Sequence, residues 1–280
     1  VSQPDKEKDR KGAFVSTPIK QIALSHNIEV YQPTKIKEEY QKIIDANPDI
    51  IITCAYGQII PESLINYPHL GCINVHGSLL PRLRGGAPIH HAIINGDDET
   101  GITIMYMDKH MDSGDIIAKR SLPIGPNDTL DIVYEKMSKL GATLLMETLP
   151  SIVAGTNNRI KQDEKYVTFG YNITKEEEKI NFNNPSIKVH NLIRGLSSIP
   201  GAYCFLKEKR LKIYQSELTN TKSTTPPGTI EKIDKTGIYI STNDNLLKII
   251  DIKLEGKKRC LVKDFVNGIN IKDYLGKVLK

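Results

Sequence analysis

Short apolar runs alternate with segments of helical periodicity over the first 155 residues of the chain. Apolar runs predict strands at residues 28–31, 49–55, 71–76, 102–107 and 116–122, since a strand buried on both faces of a parallel sheet is apolar throughout. Apolar residues recurring every three or four positions predict helices at 17–26, 37–45, 88–95 and 130–153. This alternation predicts an α/β fold with a doubly wound parallel sheet.

The pattern changes after residue 155. Residues 156–180 are polar and irregular, which predicts a linker, and residues 186–194 read as one helix. Five short strands follow, at 202–206, 211–214, 228–233, 238–241 and 246–253, with turn residues between them. They predict a small C-terminal β-barrel, so the chain divides into a domain over 1–155, a linker over 156–180 and a barrel over 181–280.

Charge is distributed unevenly along the 280 residues. The net charge is +5, but residues 181–280 carry 18 Lys and Arg against 9 Asp and Glu, whereas residues 1–180 carry 20 against 24. A basic second part is typical of a domain that meets a polyanion, and a lysine-rich solvated surface explains it equally well.

Cysteine spacing and the length of the apolar runs bear on the compartment. The four cysteines are far apart, which argues against a disulfide framework and favours a reducing cytoplasm. Cys54 and Cys72 lie in apolar runs, where a cysteine is usually a small buried hydrophobe. Because no apolar run reaches the roughly 18 residues of a membrane span, we expect no membrane association.

Candidate chemistry is densest between residues 74 and 115. Asn74 and His76 stand two apart at the end of a predicted strand, so their side chains share one face. Ligands of open parallel sheets bind beyond the carboxyl ends of the strands. The pair is therefore a candidate site, although strand-end side chains also commonly bond to nearby loops.

Two loops add to this pair. Residues 78–89 contain glycines and prolines, which suit close backbone approach to a planar ligand. Asp112 lies in a turn, residues 111–115, that is either a simple connection or a carboxylate placed to stabilise a charged His76 imidazole. The sequence has no cluster of Cys and His residues of the kind that binds zinc, so no metal is predicted. It also has no P-loop and no nucleophile elbow of the serine-hydrolase type.

The order of these motifs resembles the formyltransferase family that uses 10-formyltetrahydrofolate. The resemblance rests on Asn-Val-His-Gly-Ser-Leu-Leu-Pro at 74–81, Arg-Gly-Gly-Ala-Pro-Ile at 84–89 and Asp-Ser-Gly-Asp at 112–115, and it covers essentially the whole chain. Weaker matches, strong only in their order, include Arg-Gly-Leu at 194–196 and Gly-Lys-Lys-Arg at 256–259.

This resemblance implies a catalytic trio of Asn74, His76 and Asp112, with folate contacts at Ser78, Leu79, Leu80 and Pro81. It implies a Rossmann-like catalytic domain and an OB-like barrel that helps to hold tRNA. The implied reaction moves a formyl group from 10-formyltetrahydrofolate to initiator methionyl-tRNA, in a cytoplasmic monomer. A basic loop of the family that enters the acceptor stem maps onto residues 6–11, which implies tRNA contacts at Lys8, Arg10 and Lys11, with Arg10 as the key residue.

Two alternatives stay open at this point. One is an enzyme of the same fold with a different amine acceptor, such as a purine precursor or a sugar nucleotide. The other is a catalytically idle RNA-binding relative. The chain begins at Val1 and lacks the strand, helix and strand that open the family fold, so we expect native N-terminal strands to precede it.

Overall fold

The computed structural model describes residues 1–7 and 14–280, which form two compact units. The first unit comprises Val1–His76, Thr103–Lys119 and Thr143–Asp163. The second comprises Gly77–Ile102, Arg120–Ala142 and Glu164–Lys280. Because the two units interleave along the sequence, the domain limits at residues 155 and 180 remain predictions.

The first unit opens with short elements. β1 (Lys6–Glu7) pairs antiparallel with β2 (Phe14–Val15), and three helices follow, α1 (Pro18–Ser25), α2 (Gln41–Asp45) and α3 (Glu62–Ile65). The start of α1 is as expected, since the Thr17 hydroxyl accepts a hydrogen bond from the Lys20 amide at 3.3 Å and Pro18 takes the first helical position. The strand predicted at 28–31 is wrong: Ile28 is 59% exposed and the segment is irregular.

A four-stranded sheet has the order β3 (Ile51–Thr53), β4 (Cys72–His76), β5 (Glu99–Tyr106), β6 (Ile116–Pro123). β3 and β4 are parallel, with Thr53 opposite Asn74, as the apolar runs predict. β4 and β5 are antiparallel, with His76 opposite Thr103, so the sheet is mixed. An α/β sheet of this kind confirms the predicted fold class, and Ile73, Ile104 and Met105 are almost fully buried in it.

Two predicted helices form with their expected bounds. α4 spans Pro88–Asn95 and ends at Gly96, whose φ of 78° closes the helix in the left-handed region. α5 spans Leu130–Val153. Among the residues that the structure describes, no helix has both the length and the apolar character that crossing a membrane requires.

The C-terminal strands form an antiparallel sheet around an apolar cluster that includes α6 (Ser186–Gly195). The order is β7 (Ala202–Leu206), β8 (Lys209–Lys222), β11 (Asn245–Leu254), β10 (Gly237–Ser241), β9 (Ile230–Asp234), and β12 (Cys260–Leu261) pairs with β11 before α7 (Val262–Val266). Residues 278 and 279 bridge to Thr229 and Leu206, at the two ends of this order. This bridge closes the sheet into the predicted barrel.

The cysteines are all free. Cys72 is buried, as its apolar run predicts, but Cys54 is exposed, so that half of the prediction is wrong. Cys54 directly follows β3, where the chain leaves the sheet and Ala55 takes a φ of 47°.

A carboxylate ties the start of β9 to the turn that precedes it. Glu231 accepts hydrogen bonds from the backbone amides of Thr224 and Thr225, from both threonine hydroxyls and from Ser241, at 2.6–3.0 Å. Burial by itself would raise the pKa of Glu231, but these donors outweigh it and lower the pKa to about 2.

Replacing Glu231 with glutamine is expected to lower the free energy of unfolding by about 1–3 kcal/mol at pH 7, because charge-assisted hydrogen bonds are lost. The folded pKa lies below the ordinary value of 4.5, so the carboxylate stabilises the fold fully above that pH. Its contribution disappears as the pH falls towards 2. Urea unfolding of both proteins from pH 7 downwards should show the difference shrinking.

Glu208→Gln is the matched control, because Glu208 is an exposed carboxylate of the same unit. We expect this change to leave the unfolding midpoint at the wild-type value at pH 7. If Glu231→Gln also unfolds at the wild-type midpoint, the Glu231 carboxylate does not stabilise the fold and the prediction is wrong.

Candidate active site

Asn74 lies in the middle of β4, two residues before its carboxyl end and opposite Thr53, the last residue of β3. The hydroxyl of Thr53 donates a hydrogen bond to the Asn74 side-chain oxygen at 2.9 Å. Because the oxygen of the amide is engaged as an acceptor, the NH₂ group is the end of Asn74 that is turned to donate. The register that pairs Thr53 with Asn74 therefore brings the Thr53 hydroxyl to the Asn74 side chain.

His76 is the last residue of β4 and is 4% exposed. Its Nδ1 lies 3.6 Å from a carboxylate oxygen of Asp112, and the two side chains are 5% and 17% exposed. This separation is an ion-pair distance and is longer than a good hydrogen bond. Asp112 thus lies beside His76 although the two are 36 residues apart in the sequence. The sequence alone did not decide between this contact and a simple connecting turn.

The turn that carries Asp112 is tightly constrained. Asp112 has a φ of 50°, in the left-handed region that L-residues seldom occupy and that Asp and Asn tolerate best. A Cβ at Gly114 would overlap the Tyr106 carbonyl oxygen, so the turn packs directly on the end of β5. The backbone of the turn therefore helps to position Asp112, in addition to its contact with His76.

Sequence reasoning missed two residues that touch this group. Thr53 was part of an apolar run, although a polar side chain at the carboxyl end of a strand is itself a signal for a site. Gln162 lies in the segment predicted as a linker, and its amide nitrogen donates to the carbonyl oxygens of Asp112 and Gly114. No local pattern in the sequence marks Gln162.

The loop predicted to hold folate, residues 78–81, belongs to the second unit. The Ser78 hydroxyl donates to the Arg82 carbonyl at 2.6 Å and is 1% exposed, and Leu80 is fully buried. Leu79 and Pro81 keep intermediate exposure. Of the four residues, these two present side chains to solvent, so Ser78 and Leu80 act on the shape of the loop.

The glycine-rich continuation of that loop is joined to a second segment of the same unit. The Arg84 amide donates to the Thr168 carbonyl at 2.9 Å, and the Gly170 amide donates back to the Arg84 carbonyl at 2.7 Å. Gly85 has a φ of 118°, and a Cβ there would come within 2.9 Å of the Gly170 carbonyl oxygen. The glycine is thus required by close backbone approach.

The weaker motifs have structural roles. Arg194 is 7% exposed and donates to the carbonyl oxygens of Gly125 and Asp128 and to the Asn191 side chain. Arg259 forms a two-nitrogen ion pair with Asp251 at 2.8–3.1 Å. Both arginines are therefore engaged within the fold.

Lys8, Arg10 and Lys11, the residues predicted to contact tRNA, lie outside the described residues. In the described part of the chain, no three His, Cys, Asp or Glu side chains converge as metal ligands.

Comparison with known proteins gives a consistent result. Residues 1–149 match the sequence profile of the family described as Formyl transferase, and residues 172–270 match that of Formyl transferase, C-terminal domain. Methionyl-tRNA formyltransferase of Staphylococcus aureus strain MW2 is 48% identical over 271 residues, which cover 96% of the chain and 87% of that protein. The strain Newman protein is 47% identical over the same lengths.

Solved structures share the fold. WlaRD, a sugar 3N-formyl transferase crystallised with dTDP and 5-N-formyl-THF, has a TM-score of 0.65 and 22% identity, covering 92% of this chain and 87% of its own. HypX from Aquifex aeolicus in complex with tetrahydrofolic acid has a TM-score of 0.63 and 17% identity, covering 78% and 38%. At these identities the likeness concerns the fold alone.

Proposed function

The chain belongs to the formyl transferase family, and we propose that Asn74, His76 and Asp112 carry out its reaction. The chain transfers a formyl group to the α-amine of methionyl-tRNA, the acceptor in the name of a relative 48% identical to it. The donor is folate-derived, and we assign it as 10-formyltetrahydrofolate. One observation carries the proposal: an amide and an imidazole stand two residues apart on one strand, and a carboxylate lies 3.6 Å from the imidazole.

The transfer exchanges one carbon–nitrogen bond for another. The donor supplies an activated formyl carbon: its bond to the folate nitrogen breaks as the methionyl nitrogen bonds to that carbon. The amine loses a proton, and the departing folate nitrogen gains one. Negative charge develops on the formyl oxygen, so the site must supply donors there and a group that accepts a proton.

Asn74 and His76 meet the first requirement. The NH₂ group of Asn74, oriented by Thr53, and a protonated His76 would both donate to the formyl oxygen. Donors fixed before the reaction cost no reorganisation as the charge develops, which is why such groups have large effects on rate.

Asp112 meets the second requirement. Its carboxylate lies at ion-pair distance from His76 and favours the charged imidazole. It also helps to take the proton from the attacking amine, directly or through water. The route needs neither a covalent enzyme intermediate nor a metal ion.

The remaining assignments follow from the substrate. A charged initiator tRNA as acceptor would place the reaction in the cytoplasm. We expect a monomer to suffice, since all three proposed groups come from one chain and one compact unit. The +9 net charge of residues 181–280 supports contact with the tRNA backbone.

The acceptor is tested by supplying isotope-labelled 10-formyltetrahydrofolate to the purified chain with one candidate acceptor at a time. We expect label to transfer to initiator methionyl-tRNA and not to uncharged initiator tRNA or free methionine. Transfer to a dTDP-linked amino sugar, with none to methionyl-tRNA, would instead support the alternative acceptor class.

A further inference from the structure

We infer that Gln162 is a positioning residue of this site, which holds the backbone of the Asp112 turn (residues 111–115) so that the carboxylate faces His76. The inference rests on the proposed function. It concerns a residue outside the sequence motifs, in a stretch whose composition predicts only a linker.

Both hydrogen bonds from Gln162 to the turn come from a single side-chain nitrogen. Nε2 of Gln162 donates to the Asp112 carbonyl oxygen at 2.8 Å and to the Gly114 carbonyl oxygen at 2.9 Å. A primary amide has two N–H bonds, and each meets one carbonyl. The two acceptors stand on either side of Ser113, so one side chain bridges the centre of the turn.

The turn needs such a bridge because its backbone is not in a relaxed conformation. Asp112 has a φ of 50°, a conformation that a residue other than glycine keeps only where the surrounding structure stabilises it. A rotation about this residue would carry the carboxylate away from Nδ1 of His76. Fixing the carbonyl of Asp112 itself therefore fixes the direction in which its side chain leaves the turn.

Gln162 is in turn held by the segment that carries it, residues 157–162, which we call the clamp segment. Ile160 and Ile116 exchange two backbone hydrogen bonds at 2.8 and 2.9 Å, so the clamp segment runs beside the start of β6. The Arg159 guanidinium lies 4.0 Å from the centre of the Tyr106 ring.

Arg159 also reaches the turn directly, since its Nε is 3.4 Å from a carboxylate oxygen of Asp115. The Tyr106 amide donates to the Asp115 carbonyl at 2.9 Å. The Asp112 turn is thus anchored to β5 on one side and to the clamp segment on the other, all within the first unit.

A loop glutamine of purely structural value would also bond to carbonyls, so the test must separate positioning from stability. Gln162→Leu removes both N–H donors and replaces the glutamine with a side chain of similar size. We expect kcat for methionyl-tRNA formylation to fall roughly 10- to 100-fold, while KM for each substrate stays near its wild-type value, since misplacing a reacting group by about 1 Å can lower the rate by about 100-fold.

The same change is then made in an Asp112→Asn background. If Gln162 acts through the Asp112 carboxylate, Gln162→Leu should cost almost nothing further once that carboxylate is gone. A residue that only stabilises the fold would lower kcat by the same factor in both backgrounds. Gln21→Leu is the matched control, because the exposed Gln21 also donates to a backbone carbonyl, that of Ser16 at 3.0 Å; its kcat should equal that of wild type.

Thermal unfolding is followed for every variant. If Gln162→Leu fails to fold, Gln162→Asn replaces it, since the shorter amide keeps its donors but cannot reach both carbonyls. Wild-type kcat in a folded Gln162 variant, or an equal loss in both backgrounds, overturns the inference while leaving the function of the wild-type enzyme intact. Absence of formylation by the wild-type chain would overturn the proposed function and this inference together.

Discussion

Replacing His76 with alanine is expected to lower kcat for formylation of methionyl-tRNA by roughly 10²–10⁴-fold. The imidazole is buried at the end of β4, beside Asp112, where a fixed donor stabilises charge most effectively. In the proposed mechanism, removing it deletes a hydrogen bond to the formyl oxygen that strengthens as the reaction proceeds. Because the loss falls on the transition state, kcat and kcat/KM should drop together. Steady-state formylation at saturating folate measures both.

Binding of methionyl-tRNA should survive this change, since the contacts that hold the tRNA are proposed to lie elsewhere in the chain. His69→Ala is the matched control: His69 precedes the same strand, but its side chain is 69% exposed. We expect wild-type kcat from the control. A His76→Ala enzyme that works within about threefold of wild type would remove His76 from the reaction.

Replacing Asp112 with asparagine is expected to lower kcat by roughly 10²-fold or more, because the shape of the side chain stays and its charge goes. In the proposed mechanism, the imidazole then lacks the carboxylate 3.6 Å away that stabilises its charged form, and the attacking amine lacks a group that accepts its proton. Asparagine is also well tolerated at a φ of 50°, so the turn should keep its conformation. Steady-state kcat, with circular dichroism to confirm the fold, measures the effect.

Asp49→Asn provides the control for this variant. Asp49 also pairs with a histidine, with a carboxylate oxygen 3.6 Å from Nδ1 of His69, but both side chains are largely exposed. An exposed pair of this kind contributes little, so we expect no change in kcat. Equal losses in the two aspartate variants would point to a general effect of charge and would contradict the role of Asp112.

Half of the site was readable from the sequence. Asn74 and His76 stand two apart on an apolar strand, and the alternation of side chains along a strand places them together without further information. The carboxyl end of a strand in an α/β sheet is also where ligands bind, so both the pairing and its location followed from local rules.

The other half depends on contacts between distant parts of the chain. Asp112 reaches His76 because the turn between β5 and β6 packs on the end of β5, which no periodicity encodes. Gln162 bonds to carbonyl oxygens 48 and 50 positions earlier, and backbone acceptors leave no trace in the sequence. The polar composition of its segment predicted a linker, because side chains that hydrogen-bond within the fold and side chains that face water are both polar.

Element boundaries show the same division. β7 has its predicted bounds, since its apolar run ends at the polar residues Lys207 and Glu208. β8 continues to Lys222, eight residues past its predicted end, because pairing with β11 holds a polar stretch in strand conformation. Tertiary pairing therefore extends strands beyond the reach of their apolar pattern.

The most direct test of the trio is a single-turnover experiment in which enzyme, in excess over methionyl-tRNA, is mixed with saturating 10-formyltetrahydrofolate and quenched at short times. It isolates bond formation from substrate binding and product release. Wild type is compared with the His76→Ala, Asp112→Asn and Asn74→Ala variants, all shown to bind methionyl-tRNA with wild-type Kd. The account predicts that the transfer rate falls by roughly 10²-fold or more in each variant. Transfer rates equal to wild type in all three would contradict it.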